Sequence, residues 1–311
     1  KTMKLFVSDL DGTLYPPNVT DSGAENRAAI QRWRAAGNVF AVATARIHQA
    51  YPKVSADLGF AVDYLGGNGA ELIFSDGTRM TRTLKAAVFL DVAGWLARHH
   101  VDATVKMNCQ GQWISSDCRH YPYGHPHRLR RSLLDSVTLA ETTVDPNAEI
   151  LNLGIIIRPD QRDGVKRALR EKLAGTVEIV SSDFDNLDLV RPDCSKAAAL
   201  GILAERIGVP LREVIVIGDS ENDVGMFDVV DTSYCMAQAE PEVRQKARWV
   251  VTSVAEAAGA RERPRVGIYL SCLKTAQQIM KTLKRGGITK KCSAFLSIRK
   301  VHYLRIGNKE P

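Results

Sequence analysis

The chain has 311 residues, 45% of them hydrophobic and 25% charged. That is enough for two domains and excludes a collagen-like or wholly disordered chain. Lys+Arg outnumber Asp+Glu by 42 to 35, a net charge of +7, which taken alone points to a nucleic-acid or anionic-membrane partner.

Leu5-Phe6-Val7 reads as a short buried strand running into Ser8-Asp9. Asp21-Ser22 can cap a helix that runs to about Ala36 and stops at Gly37. Val39 to Ala43 is a second strand, followed by a helical stretch interrupted by Pro52 and a third strand at Tyr64-Leu65. This rhythm predicts a Rossmann-like parallel sheet with helices on both faces, an α/β fold. After Ala70 the pattern changes. Asp76-Gly77 marks a hairpin between Glu71–Phe74 and Thr78–Arg82, and a helix spans Lys85 to His99. A second hairpin joins 104–107 to 112–115. A strand at 151–157, a helix at 161–173 and a strand pair at 177–180 and 187–190 follow. The parallel rhythm returns with a helix at 195–207, a strand at Val214–Ile217, and further strands at 232–236 and 249–252 with a helix opening at Pro241 between them. Residues 1–78 and 191–260 are therefore expected to form one discontinuous core, with 79–190 inserted as an α+β domain.

The charge is uneven. Residues 261–311 hold 13 Lys/Arg and 2 Asp/Glu, leaving 29 basic and 33 acidic side chains in the other 260 residues. The basic character belongs to a C-terminal extension, and the body is mildly acidic. No run of 18 apolar residues occurs, so no spanning helix is expected. The start, Lys1-Thr2-Met3-Lys4, lacks the pattern of an export signal. The six cysteines form no CxxC pair and read as reduced thiols of a cytoplasmic protein.

Ligands of an open parallel sheet bind outside the carboxyl ends of its strands. The predicted strands deliver Asp9-Leu10-Asp11-Gly12-Thr13, then Thr44-Ala45-Arg46, then Asn68, then Gly218-Asp219 with Glu221-Asn222-Asp223, to that edge. So many carboxylates repel one another unless a cation sits among them, and oxygen ligands alone favour a hard ion such as Mg²⁺. Lys196, at the start of its helix, adds a positive charge. Two carboxylates one residue apart can divide nucleophilic and proton-transfer work, an inventory that suits phosphoryl transfer. A single DGT is often only a turn, and a single GDSEND only a capping loop. Four such signals in this order are hard to credit to coincidence.

In Asp9-Leu10-Asp11-Gly12-Thr13-Leu14, Thr44, Lys196 and Gly218-Asp219-Ser220-Glu221-Asn222-Asp223, the sequence resembles the haloacid dehalogenase superfamily. The insert entered through Asn68-Gly69-Ala70 resembles its class IIB cap, and the chain as a whole its Cof-type sugar-phosphatase-like group. The resemblance covers roughly residues 3–258. It implies that Asp9 is the nucleophile and Asp11 the acid and base. Thr44, Ala45, Lys196 and Asn222 would hold the phosphoryl group. Mg²⁺ would be held by Asp9, Asp11 through its backbone carbonyl, Asp219 and Asp223. Arg46 and Asn68 are candidates for touching substrate. One departure stands out, Thr44-Ala45-Arg46 where relatives read Thr-Gly-Arg; Ala permits slightly less close approach to a phosphate.

The stretch Arg119–Arg128 is rich in cationic and aromatic side chains. It reads either as a solvated loop or as a specificity loop, and the solvated loop is the more ordinary of the two. Trp33, Trp95 and Trp249 are expected in the core, Trp113 on the insert's hairpin, and Cys194 as an inert buried thiol. The tail reads as a poorly ordered extension, a packing element, or a binder of RNA, anionic lipid or an acidic protein. Its aromatics are too sparse for a stacking platform, and no DNA partner is expected. The resulting expectation is a Mg²⁺-dependent phosphatase of a small phosphorylated metabolite, most of all a sugar phosphate. A phosphomutase is the alternative, and a binding protein acting through its tail is the reading from another class.

Overall fold

The computed structural model describes residues 2–17, 19–117, 136–183 and 185–259. The stretch 119–128 and the extension 261–311 lie outside the described residues, as do the expectations attached to them. Among the described residues no helix is long and apolar enough to cross a membrane.

The strands in chain order are β1 (Leu5–Asp9), β2 (Val39–Ala43), β3 (Asp63–Gly66), β4 (Glu71–Ile73), β5 (Arg79–Thr81), β6 (Leu84–Lys85), β7 (Ala103–Cys109) and β8 (Gln112–Ser115). They continue with β9 (Ser136–Thr138), β10 (Glu149–Ile150), β11 (Leu153–Ile157), β12 (Glu178–Val180), β13 (Asn186–Val190), β14 (Val214–Gly218), β15 (Thr232–Met236) and β16 (Trp249–Val251). The helices are α1 (Gly23–Ala35), α2 (Tyr51–Leu58), α3 (Ala87–Arg98), α4 (Pro159–Lys172), α5 (Lys196–Arg206), α6 (Val224–Val229), α7 (Pro241–Arg244) and α8 (Val254–Gly259).

Eight strands form one sheet in the order β16-β15-β14-β1-β2-β3-β4-β5. It is parallel from β16 to β3 and antiparallel from β3 to β5. β1 is buried along its whole length because both of its faces are covered. Leu5 and Val7 pack into a layer with Leu200 and Leu203 of α5 and Met226 of α6. Phe6 faces the opposite layer, with Ile30 of α1, Val54 and Leu58 of α2, and Val254 of α8. The Phe6 ring meets Trp33 and Phe40 edge-on, at centroid distances of 5.6 Å each. The parallel-sheet fold read from the sequence is therefore present.

A second sheet has six strands, in the order β12-β13-β11-β7-β8-β9, and β10 pairs with β6 in a small ribbon. Its side chains alternate as strand geometry requires. Val105 and Met107, Leu153 and Ile155, and Leu187 and Leu189 cover one face under α3 and α4. The same alternation leaves Lys106, Asn108, Gly154, Asn186 and Asp188 on the other face. That face meets the core, where Asn68 Nδ2 donates to Asp188 Oδ2 (3.2 Å) and Asn152 Nδ2 donates to the Ala45 carbonyl (3.4 Å).

Several local expectations shift. The strand Arg79–Thr81, assigned by the sequence reading to the insert, pairs with β4 in the large sheet. Pro52 does not interrupt a helix; it sits in the first turn of α2, where its missing N–H costs nothing. Ser22 makes no side-chain cap, and Asp21 Oδ1 accepts from the Gly23 N–H instead. Ser195 does cap α5, accepting from the Ala198 N–H (3.0 Å).

Phe6 is fully buried between two aromatic neighbours, so Phe6→Ala should cost about 3–5 kcal/mol of stability. Urea unfolding of the 311-residue chain measures this, and a loss below about 1 kcal/mol would contradict the packing described.

Candidate active site

The carboxyl ends of β1, β2, β3 and β14 converge. After Asp9 the chain turns back on itself: the Leu14 N–H reaches the Asp9 carbonyl (3.2 Å), the Tyr15 N–H that of Leu10 (2.7 Å), and the Gly12 N–H that of Tyr15 (2.8 Å). Gly12 has φ +86°, and a Cβ there would overlap the Asp219 carboxylate. Only glycine permits both the turn and the approach. Thr13 Oγ1 then donates to Asp219 Oδ1 (2.8 Å), joining the ends of β1 and β14.

Asp11 is held by Arg46 in a two-pronged pair, Nε to Oδ2 at 2.7 Å and Nη2 to Oδ1 at 2.6 Å. Such a fork fixes a carboxylate's orientation as well as its charge. Thr44 is buried, and its Oγ1 accepts from the Arg46 N–H (3.1 Å), which shapes the turn after β2. Asn68 is buried in a left-handed conformation, φ 54°. Its Oδ1 accepts from Asn222 Nδ2 at 2.9 Å.

Lys196 is 1% exposed and its Nζ lies 2.6 Å from Asp9 Oδ1 and 2.6 Å from Asp223 Oδ1. Burial alone would lower the ammonium's pKa, but the Asp223 and Asp9 carboxylates outweigh it and hold it raised. Asp223 curls back on its own loop, its Oδ2 accepting from the Asp219 N–H (2.9 Å) and the Ser220 N–H (3.0 Å). Burial pushes Asp9 well above the usual carboxylate range; Lys196 opposes this, and Asp223 and Asp219 add to it. Burial, then the Asp223 charge, pushes Asp219 up to about 6, against the Thr13 hydrogen bond.

One ammonium thus faces three carboxylates. Ligand oxygens of Asp9, Asp219 and Asp223 lie within 4.8 Å of one another, and Asp9 Oδ2 is buried with no hydrogen-bond partner among the described residues. An all-oxygen set whose negative charge exceeds that of the one ammonium fits a hard divalent cation. The Asp11 side chain, turned to Arg46, stands outside this trio.

The family model described as haloacid dehalogenase-like hydrolase matches residues 6–261. The chain belongs to the haloacid dehalogenase-like hydrolases. Across most of its length it is similar to an HMP-PP phosphatase of Serratia proteamaculans, 25% identical over 252 residues (78% of this chain, 86% of the relative). It is also similar to the Bacillus subtilis 5-amino-6-(5-phospho-D-ribitylamino)uracil phosphatase YcsE, 26% identical over 250 residues (80% and 89%). A phosphoglycolate phosphatase of Methanothermobacter thermautotrophicus is 36% identical over 103 residues; the match spans 33% of this chain and only 44% of that protein's length. The fold is shared with SMU.1108c of Streptococcus mutans, TM-score 0.71, 16% identical, covering 83% of this chain and 96% of the other. Haloacid dehalogenase-like phosphatases usually use a divalent metal, and the aspartate cluster for one is in place here.

For this haloacid dehalogenase-like chain, sequence reasoning named Asp9, Asp11, Thr44, Ala45, Arg46, Asn68, Lys196, Asp219, Asn222 and Asp223, and the structure gathers them at one sheet edge. Asp9, Lys196, Asp219 and Asp223 form its charged centre. Asn222 pairs with Asn68, and the Ala45 carbonyl pairs with Asn152. Sequence reasoning missed Gln238, whose Nε2 donates to the Gly12 carbonyl (2.6 Å). It sits just past the end of β15, so the strand-end rule could have found it. It also missed Lys166 of α4, whose ammonium pairs with Glu221 (2.7 Å to Oε2) on the loop after β14; no local pattern signals that contact. Cys194 is buried as expected, with its thiol pushed up by burial.

The raised Asp219 value has a sign. Between the ordinary carboxylate value and about 6 the folded state binds more protons than the unfolded one, so stability falls as pH rises through that window. A cation bound there would replace the proton. Mg²⁺ should therefore bind about tenfold more weakly at pH 5 than at pH 7.5. Thermal unfolding with and without Mg²⁺ at both pH values tests this; equal stabilisation at both would contradict it.

Proposed function

We propose that this hydrolase is a Mg²⁺-dependent phosphatase of small phosphorylated metabolites, above all a sugar phosphate, working through an aspartyl-phosphate. The observation that carries the reading is Asp9 at the end of β1, with Oδ1 pinned by Lys196 and Oδ2 without a hydrogen-bond partner among the described residues. One carboxylate oxygen is thereby held in place and the other is left to react. The phosphatase names of the relatives that span most of the chain support the same reading.

In this reading Asp9 Oδ2 attacks phosphorus in line with the leaving oxygen. Asp11, two residues on, protonates that oxygen and later takes a proton from the water that hydrolyses the aspartyl-phosphate. Lys196, the Thr44 hydroxyl, the Ala45 N–H and Asn222 hold the phosphoryl oxygens. Asp9, Asp219, Asp223 and the Asp11 carbonyl would hold Mg²⁺, which supplies charge compensation for the attacking carboxylate and the phosphoryl group. Arg46 orients Asp11 through its fork. The eight-stranded sheet with its helices acts as the catalytic core, and the inserted six-stranded sheet with α3 and α4 acts as a cap that closes over it and excludes water.

Asp9→Asn should reduce phosphate release by at least about 10³-fold, and Asp11→Asn by roughly 10²–10⁴-fold. Release of inorganic phosphate from a panel of phosphorylated metabolites in the presence of Mg²⁺ measures both. Wild-type turnover retained in Asp9→Asn would sink the mechanism, and transfer of phosphate between sugar positions instead of to water would mark a mutase.

A further inference from the structure

The cap face that meets the core carries a polar assembly that the phosphoryl chemistry leaves unused. Asp188, Gly154, Lys106 and Ser115 lie side by side across β13, β11, β7 and β8. Glycine at 154 leaves a gap in this row. A Cβ there would lie 3.4 Å from Lys106 Cε and 3.6 Å from Asp188 Oδ1, so the lysine and the aspartate approach each other across it. Asp188 is fixed on both oxygens: Oδ2 accepts from Ser182 Oγ (2.7 Å) and Asn68 Nδ2 (3.2 Å), and Oδ1 from Asn186 Nδ2 (3.4 Å).

Two residues along β7, Asn108 is 8% exposed. Its Oδ1 accepts from the Gly111 N–H (3.2 Å), and its Nδ2 has no partner among the described residues. Trp113 pairs with Asn108 across the hairpin, and the Lys106 ammonium lies 5.6 Å from its ring centre. On the core side, Asn222 Oδ1 is likewise buried with no partner among the described residues. A spare amide donor and a spare amide acceptor thus occur on the two sides that Asn68 joins.

We propose that Lys106, Asp188, Asn108 and Trp113 form the subsite for the substrate's leaving group, and that they select a polyhydroxylated chain or ring. The proposal rests on the phosphatase reading and adds the residues that choose the substrate. A carboxylate, an ammonium and an amide supply alternating acceptors and donors for hydroxyl groups, and an indole face suits their carbon backbone. A second anionic group is a poorer match. Burial lowers the Lys106 ammonium's pKa, and the nearby Asp188 and Asp185 carboxylates only partly oppose this while offsetting its charge. A purely apolar leaving group would leave the spare Asn108 amide donor buried without a partner.

The test compares kcat/KM of the full chain with Mg²⁺ on ribitol 5-phosphate and glucose 6-phosphate, on phosphoglycolate, and on acetyl phosphate, which has no hydroxylated leaving group. Wild type should favour at least one of the two polyol phosphates. Lys106→Met, which keeps the apolar stem, should lower the ratio of polyol phosphate to acetyl phosphate at least about 30-fold, chiefly through KM. Gly154→Ala, which narrows the gap without removing a polar group, should shift the ratio the same way by a smaller factor. An unchanged ratio in both variants overturns the proposal. So does a wild type that prefers phosphoglycolate, with Lys106→Met abolishing that preference. Wild-type turnover of acetyl phosphate or phosphoglycolate, with neither polyol phosphate accepted, overturns the subsite and leaves the phosphatase reading standing. No turnover of any of the four fails both.

Discussion

Three carboxylates around one buried ammonium set the terms for the rest of the molecule. Asp9, Asp219 and Asp223 repel one another in surroundings where water cannot screen them, and Lys196 offsets only part of that charge. The remaining negative charge is met by backbone N–H groups and hydroxyls, and in the proposed enzyme by a cation. This is why the loop after β14 curls so that Asp223 accepts two of its own N–H groups. It is also why Thr13 reaches across from β1, and why residue 12 has no side chain. The apolar layers on both faces of the sheet hold four strand ends in register, so these groups meet without local adjustment.

Asp9, Asp219 and Lys196 were legible in the sequence because each closely follows an apolar strand run or opens a helix. Asp9 follows Leu5-Phe6-Val7, Asp219 follows Val214–Ile217, and Lys196 starts a periodic helix behind a capping serine. Periodicity located the strand ends, and the strand-end rule did the rest. The parallel core was legible for the same reason. Residues with no such address escaped. Lys106 and Asp188 sit within strands of ordinary alternation, and alternation says which residues share a face without saying which face meets the core. Lys166 and Asn152 were invisible because their partners, Glu221 and Ala45, are 55 and 107 positions away.

The shifts at element ends have simple causes. Pro52 looked like a break because proline lacks an N–H, yet the first turn of a helix needs none there. The hairpin read across Asp76-Gly77 is present, but the strand at 79–81 was grouped with the insert, whereas β4, its partner, belongs to the large sheet. In both cases the local chemistry was read correctly and only the element's boundary moved.

Asn152 against the Ala45 carbonyl, Asp188 against Asn68, and Lys166 against Glu221 are three polar seams between the insert and the core. In the phosphatase proposed above, a phosphate carried on the surface of a folded protein or along a nucleic-acid strand would have to part these seams to reach Asp9, whereas a small molecule could be enclosed beneath them. The seams would then act as a size gate, disfavouring phosphoproteins and polynucleotides by bulk before any side chain examines their chemistry.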